Sequence, residues 1–477
     1  MTKALARELR RLLGPQGVID EPTRLLPYES DALALLAVPP ELVLLPRDTS
    51  QTAAALRLLA RHGVPVVPRG AGTGLAGGAT PVAGGVVVST ARMRDVLELN
   101  VEDRFARVQA GVVNVDLTGL CQHHGLLYAP DPSSQMACTI GGNVANNSGG
   151  PHCFKYGATT RHVLGLVIVT HDGEVLDLSE PVLDPLGYDL VGTFVGSEGT
   201  LGIATEVTVR LSPAPAAIEV LLALFRSLDD ACDSVTDIIA ARLEPSALEI
   251  LDRLTIEAVE RSVFAAGYPL DSEAVLLVEL EGTEIDVAAQ ARDVLAILER
   301  HRPIEVRRAR DPVKRKQLWA GRKGAFGAMG RIAPDLYVAD AVVPRTKLRE
   351  LVARTVEICR EANLRLATVF HAGDGNLHPN ICYDRRNPEE VKRVLEAGHR
   401  ILAECVAAGG ALTGEHGVGL EKLAEMELYF SADDLAAACR LRDAWDPDRR
   451  MNPGKVVPSH ACLEVRSARR AGTGAAP

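Results

Sequence analysis

At 477 residues the chain is too long for one ordinary hydrophobic core, which points to two or three domains. It is 47% hydrophobic and 24% charged, a globular balance, and a formal net charge of −10 leaves no nucleic-acid footprint. No apolar run reaches the roughly 18 residues that would cross a bilayer, so no transmembrane segment is expected.

The first predicted element, "MTKALARELRRLLG", places Leu5, Leu9, Leu12 and Leu13 on one helical face. Charges interrupt it, so it is not a signal peptide. Residues 41–68 read as strand, helix, strand: "ELVLLP", then "DTSQTAAALRLLARHG" closed by Gly63, then "VPVVPR". The glycine-rich "GAGTGLAGGATPVAGG" (70–85) follows, then a strand "VVVST". Further strands joined by turns are expected in "RFARVQAGVV" and "LGLVIVTHDGEVLDL". "RLSPAPAA" (210–217), with two prolines, marks a domain boundary. Beyond it, "AVLLVELEG" is a strand before a helix near 285–300. The basic run "RRARDPVKRK" (307–316) reads as a solvated face. A helix near 346–362 precedes the strand "LRLATVF", "PNICY" is a strand, and a third helix lies near 388–407. This order predicts an α+β second domain with helices on one face. The ordered chain is expected to end near "DPDRRMNPGKVVP", leaving 458–477 as a disordered tail.

The nine cysteines are scattered, with no CxxC pair, which reads as reduced thiols in a cytosol. Iron–sulfur ligation needs patterned cysteines, so the chain carries no visible centre for passing electrons onward.

Gly72, Gly74 and Gly77 match G-x-G-x-x-G after a strand, yet Pro81 and more glycines follow at once, so no helix can open there. A dinucleotide fingerprint requires that helix, so NAD binding is rejected. Consecutive backbone N–H groups without side chains can still wrap an anion as a nest. "PDPSSQMACTIGGNVANNSGG" (130–150) and "GSEGTLGIATEVTVRL" (196–211) are two more small, polar segments. Three such segments could line one extended phosphate-and-ring ligand, and they are conformationally costly without one.

"HAGDGNLHP" (371–379) sets His371 and His378 around a loop in which Asp374 reads as the turn residue, and "GEHGVG" (414–419) adds a carboxylate and a third imidazole. Two imidazoles and a carboxylate make a borderline nitrogen–oxygen set suited to Zn²⁺, Mn²⁺ or Fe²⁺. Taken alone, a histidine on a loop is usually an ordinary surface or hydrogen-bonded residue. The same set would also serve a metal-dependent hydrolase.

"PRGAGTGLAGG", "TIGGNVANNSGG", "KYGATTRHVLGL" and "GSEGTLGIATEVTVRL" resemble the FAD-binding half of the vanillyl-alcohol oxidase/p-cresol methylhydroxylase flavoproteins. "HAGDGNLHPN", "GEHGVG" and "NPGK" resemble the C-terminal half of their D-2-hydroxy-acid dehydrogenase branch. "LWAGRKGAFGAMGRIAPDLYVADAVVPR" (318–345) is most similar to FAD-carrying subunits of the glycolate oxidase type. The resemblance implies a two-domain p-cresol methylhydroxylase-type fold of α+β class. An FAD-binding domain would span 1–213, and an α+β substrate (cap) domain 214–457, its last part returning to the first domain. The implied pyrophosphate loop is Arg69, Gly70, Ala71, Gly72, Thr73, Gly74 and Leu75. Pro132, Ser133, Ser134, Thr139, Gly142, Asn146 and Ser148 would line flavin and phosphates. Glu198, Gly199 and Ile203 would reach the adenine side, and Asn452 the isoalloxazine ring. Some relatives attach FAD through a histidine inside the glycine loop; Ala71 stands there, so FAD is expected to be non-covalent, with His152 a remote attachment candidate.

The resemblance also makes His371, His378 and Glu415 the ligands of a divalent metal (Zn, Mn or Fe). His416 is then the candidate base, Arg322 the carboxylate-binding cation and Asn380 a substrate contact. Relatives acting on a dicarboxylate carry a lysine six residues before the proline of the "VP" pair, where this chain has Val338. The expected activity is therefore FAD-dependent oxidation of a small 2-hydroxy acid, glycolate or D-lactate, by hydride transfer to the flavin. A D-2-hydroxyglutarate-type dehydrogenase is the nearest alternative. An alkylglycerone-phosphate synthase type lacks the two-histidine loop; a metal hydrolase and a non-catalytic scaffold subunit are the remaining readings. Expected partners are a second flavin subunit and an iron–sulfur subunit, or a diffusible electron acceptor. The expected location is cytoplasmic, or peripheral at the inner face of the membrane.

Overall fold

The computed structural model describes residues 3–181 and 187–458. The expectation for the tail falls, beyond residue 458, outside the described residues. Among the described residues, no helix is long and apolar enough to cross a membrane. Two compact units partition the chain. The first comprises residues 1–148, 158–213 and 415–477; the second comprises 149–157 and 214–414. The short segment 149–157 joins the second unit although first-unit sequence flanks it on both sides, a placement the sequence did not reveal.

In the first unit, the parallel strands Leu42–Leu44, Val86–Ser89 and Val66–Arg69 lie side by side, and Val18–Ile19 adds an antiparallel edge. These strands are continuous apolar runs because both faces are covered. Helix Thr49–Arg61 packs on one face through Ala55, Leu56 and Leu59, and helix Lys3–Leu13 joins the same core through Leu5, Leu9 and Leu13. Asp48 starts the first of these helices, its side chain accepting from the Gln51 N–H. A second sheet orders Val96–Asn100, Phe105–Gln109, Ile203–Arg210, Val163–Val169 and Val175–Leu178, all antiparallel.

The second unit is built on a nine-stranded sheet. Its central strands are Ala217–Phe225, Ala274–Gly282, Ala247–Asp252 and Arg365–His371, in the spatial order in which each pairs with the next. Successive side chains of a strand face opposite ways. Val220, Leu222 and Leu224 pack with Ile256 and Val259 of helix Arg253–Glu260, and with Trp319, Ala325 and Met329 of helix Pro312–Met329. Leu221, Ala223 and Phe225, on the other face, are equally buried, and helix Glu284–Arg300 packs against this strand and Ala274–Gly282. Helices therefore cover both faces rather than one. The strands are apolar at nearly every position instead of alternating, and that pattern requires two covers.

Seven cysteines, 121, 138, 153, 232, 359, 382 and 405, are free thiols.

Candidate functional site

In the first unit the glycine loop leaves the strand Val66–Arg69. Gly72 has φ +75°, a left-handed conformation glycine adopts without a Cβ penalty. Gly70 is pressed against the next segment: a Cβ there would lie 2.5 Å from Thr139 Oγ1. Thr139 caps helix Ile140–Asn146, its Oγ1 accepting from the Gly142 N–H at 3.2 Å. That helix in turn receives the third segment, since the Gly196 and Glu198 N–H groups donate to Val144 O and Ala145 O at 2.9 and 2.8 Å. The structure thus brings the three segments together.

Their side chains are arranged as follows. Arg69 Nη1 donates to Ser30 O at 2.7 Å, and its guanidinium stacks over Tyr28, so it braces the loop from behind. Pro132 is buried, Ser133 exposed and Ser134 half-buried, in a turn closed by the Gln135 N–H to Pro132 O. The Ser148 N–H donates to Asn143 O at 2.9 Å. Ile203 belongs to the apolar core, and a Cβ on Gly199 would lie 2.8 Å from Pro68 Cγ. Asn452, fully buried, donates through Nδ2 to Gly78 O (2.9 Å) and Glu198 O (2.6 Å). The Glu198 carboxylate accepts from the Val418 and Gly419 N–H groups at 2.7 and 2.9 Å. Burial pushes this carboxyl up to about 7, against those two hydrogen bonds and nearby Lys422 and Lys455. Lys455 Nζ donates to Gly78 O at 2.9 Å and also to Thr80 O.

These residues fit a polar, anionic, ring-bearing cofactor. Among the described residues, the N–H groups from Ala71 to Leu75 make no hydrogen bond within the protein, which leaves a run of donors for phosphate oxygens. Ser197 Oγ and Asn452 Oδ1 are buried without a protein partner, and such groups are costly unless something supplies one.

The second unit holds the histidine pair. Strand Arg365–His371 turns back within Ala372–Gly375, because Asn376 already pairs with His371; the turn is tighter than the six-residue loop expected. The Asp374 carboxylate accepts from the Asn376 N–H at 3.1 Å, and Gly375 takes φ +76°. His371 and His378 are both buried, with ring centroids 5.0 Å apart at 88°, and ligand-capable atoms of the two lie within 4.8 Å of each other. His371 Nδ1 meets Glu249 Oε1 at 2.7 Å, and Arg322 Nε donates to Glu249 Oε2. Burial alone would raise the Glu249 carboxyl, but Arg322 and His371 together hold it below its usual range. His378 Nδ1 lies 3.7 Å from Asp340 Oδ1. Asp340 Oδ2 accepts from Thr413 Oγ1 and from the Gly414 N–H at 3.0 Å. Asn380 Nδ2 donates to His378 O at 2.8 Å, so its amide is turned toward its own strand. His152, in segment 149–157, bonds Glu279 Oε1 through Nε2 at 2.9 Å, and Trp319 Nε1 donates to Glu279 Oε2 at 2.7 Å.

Glu415 and His416 open the last stretch of the first unit, directly after Gly414. His416 Nε2 is 3.9 Å from Glu415 Oε1, and Asn146 Nδ2 donates to His416 O at 2.9 Å. Sequence reasoning missed Glu249 and Asp340. The signal available was an acid at an inward position of an otherwise apolar strand, "ALEILD" for Glu249, which a buried cation or imidazole must answer.

Comparison with known proteins identifies both halves of the chain. Residues 40–179 match the FAD binding domain family, and residues 214–456 match the family "FAD linked oxidases, C-terminal domain". The chain is 47% identical to the glycolate oxidase subunit GlcD of Escherichia coli K12, over 92% of this chain and 88% of the relative. It is 34% identical to a D-lactate dehydrogenase of Anaerostipes hadrus, over 87% and 89%. Among solved structures, substrate-bound p-cresol methylhydroxylase superposes with a TM-score of 0.81 at 18% identity, covering 96% of this chain and 97% of that one. The fold is accordingly the two-domain, α+β p-cresol methylhydroxylase type.

Proposed function

We propose that this chain, which belongs to the FAD-linked oxidases and is a flavin-dependent 2-hydroxy-acid oxidoreductase, oxidises glycolate or D-lactate to the 2-oxo acid. The observation that carries the reading is the buried His371–His378 pair beside a carboxylate-anchored arginine, Arg322, in a unit that follows an FAD-binding domain. A 2-hydroxy acid presents a carboxylate that needs a cation and a hydroxyl that must lose its proton.

Bound FAD supplies the acceptor for the hydride that leaves the substrate's α-carbon. A divalent cation, Zn, Mn or Fe, supplies Lewis acidity toward the hydroxyl. His371 and His378 would hold it through ring nitrogens, and Glu415 is the third ligand that the family resemblance implies; the buried imidazole pair has the donor chemistry for such an ion. His416 takes the hydroxyl proton as general base. Arg322, held by Glu249 through Nε, would bind the substrate carboxylate with its remaining nitrogens, and Asn380, whose Nδ2 donates to His378 O, would contact the substrate.

FAD is held non-covalently. The Ala71–Leu75 N–H groups would hold the pyrophosphate, the 132–148 segment would line flavin and phosphates, the 198–203 segment would serve the adenine side, and Asn452 the ring. Glu198 serves by backbone placement, since its carboxylate is committed to Val418 and Gly419. The electrons leave to partner subunits, a second flavin chain and an iron–sulfur chain. The word "subunit" in the name of the Escherichia coli relative supports an assembly.

Anaerobic addition of glycolate, D-lactate, L-lactate and D-2-hydroxyglutarate to the purified yellow protein tests the reading. Glycolate or D-lactate should bleach the flavin's visible absorbance. A colourless folded protein that no FAD reconstitutes, or a flavin that none of these acids reduces, sinks it.

A further inference from the structure

We infer that Glu249 is a positioning residue that sets the ring orientation of His371 and the reach of Arg322 with one carboxylate. The inference rests on the metal reading of the histidine pair and deepens it.

Glu249 lies on strand Ala247–Asp252, directly opposite His371 in the sheet register. Ala247 and Leu251 face the core shared with helix Pro312–Met329, so Glu249, two residues from each, points the same way. Ala367 and Val369 face that core too, which places His371 on the same face. Arg322 comes down from the helix. The carboxylate has no solvent exposure, so its partners must satisfy it: Oε1 takes His371 Nδ1 at 2.7 Å and Oε2 takes Arg322 Nε. Arg322 Nη2 also lies 3.5 Å from His371 Nδ1. A guanidinium can only donate, and a carboxylate paired with it can only accept. The short Glu249 contact therefore assigns a hydrogen to His371 Nδ1, and in the neutral ring Nε2 then carries the lone pair.

Two consequences follow from the shared carboxylate. His371 offers Nε2, and only Nε2, to a cation, at a fixed ring angle and with raised basicity. Arg322 is anchored through its Nε edge, so its remaining nitrogens are presented at a fixed distance from that same imidazole. The spacing between the cation's ligand and the group gripping the substrate carboxylate is thus set by Glu249 rather than by either residue alone.

The test uses the full FAD-loaded chain and Zn²⁺ in competition with a chelator. Glu249→Gln should weaken Zn²⁺ binding about 10–100-fold, the usual cost of removing such a partner. It should also raise KM for glycolate, because Arg322 loses its anchor. Glu219→Gln is the control: Glu219 is also buried and holds Arg308, on the neighbouring strand Glu305–Ala309, and Arg310 just beyond it. It should lower the melting temperature while leaving Zn²⁺ affinity within about two-fold, since its carboxylate touches no ligand. Glu249→Asp keeps the charge beside Arg322 but shortens the reach, so it should fold and still bind Zn²⁺ more weakly than wild type. Unchanged Zn²⁺ affinity in either Glu249 variant, or failure of both to fold, assigns Glu249 to the core and overturns the inference. A wild-type chain that binds no Zn²⁺ overturns the metal reading instead.

Discussion

The side-chain amide of Asn146 donates to the carbonyl oxygen of His416 at 2.9 Å, joining residues 270 positions apart. Glu198 adds a second clamp on the same stretch through the Val418 and Gly419 N–H groups. The backbone that carries the proposed base is thus held by two residues of the segments proposed to hold the cofactor. His416→Asn should slow anaerobic flavin reduction by about 10²–10⁴, the usual cost of a lost general base, with little change in substrate affinity. Asn146→Ala removes one hydrogen bond of about 1 kcal/mol and should slow the same step several-fold. Stopped-flow traces within a few-fold of wild type for His416→Asn would remove it from the role.

His371→Ala and His378→Ala should each lower bound metal sharply and abolish turnover while FAD stays bound. Both histidines lie in the second unit, whereas the glycine segments lie in the first. Metal analysis of the two variants, with the flavin spectrum as the internal control, checks this. Full turnover by metal-free enzyme would contradict it.

The Glu198 carboxyl gives a pH dependence of defined sign. Its ordinary value is 4.5 and burial raises it to about 7. The folded chain keeps this proton where the unfolded chain has already released it. Its contribution to stability is therefore complete below the unfolded value and is lost as pH rises through about 7. Glu198→Gln cannot ionise, so its melting temperature should change less than that of wild type between about pH 5 and 7. Parallel slopes for the two proteins in thermal melts across that window would count against the assignment.

Val338 is buried and pairs across the strand with Asn380, two residues beyond His378. A lysine there would place an ammonium beside the proposed substrate contact, with a lowered pKa from burial. Val338→Lys should raise the kcat/KM ratio for D-2-hydroxyglutarate over glycolate by about tenfold, equivalent to about 1.4 kcal/mol of differential binding. A ratio that does not move places the selectivity elsewhere.

The isolated chain should consume oxygen poorly and co-purify from its native cells with an iron–sulfur protein. Rapid peroxide formation by the chain alone, with no such companion, would favour a self-sufficient enzyme.

Local pattern alone determined much of this protein. "AVLLVELEG" and "PNICY" read as the strands they form, Ala274–Gly282 and Pro379–Tyr383, because apolar runs of that length bounded by turn residues have few other uses. The "DTSQTAAALRLLARHG" stretch carried its own cap at Asp48 and stop at Gly63, so the helix Thr49–Arg61 was legible almost to the residue. The glycine segments and the histidine loop stood out because their clustered residue types are unusual for ordinary loops. Only the tertiary structure decided that Glu249 faces His371, 122 positions away, since strand register between distant segments is a non-local outcome of core packing. It likewise decided that 149–157 packs with the second unit, where Glu279 and Glu281 answer His152, Lys155 and Tyr156. It also turned the Glu198 carboxylate onto the backbone of Val418 and Gly419. A buried charge takes whichever donors the fold brings within reach, and the partners of these acids came from chain segments far away in sequence.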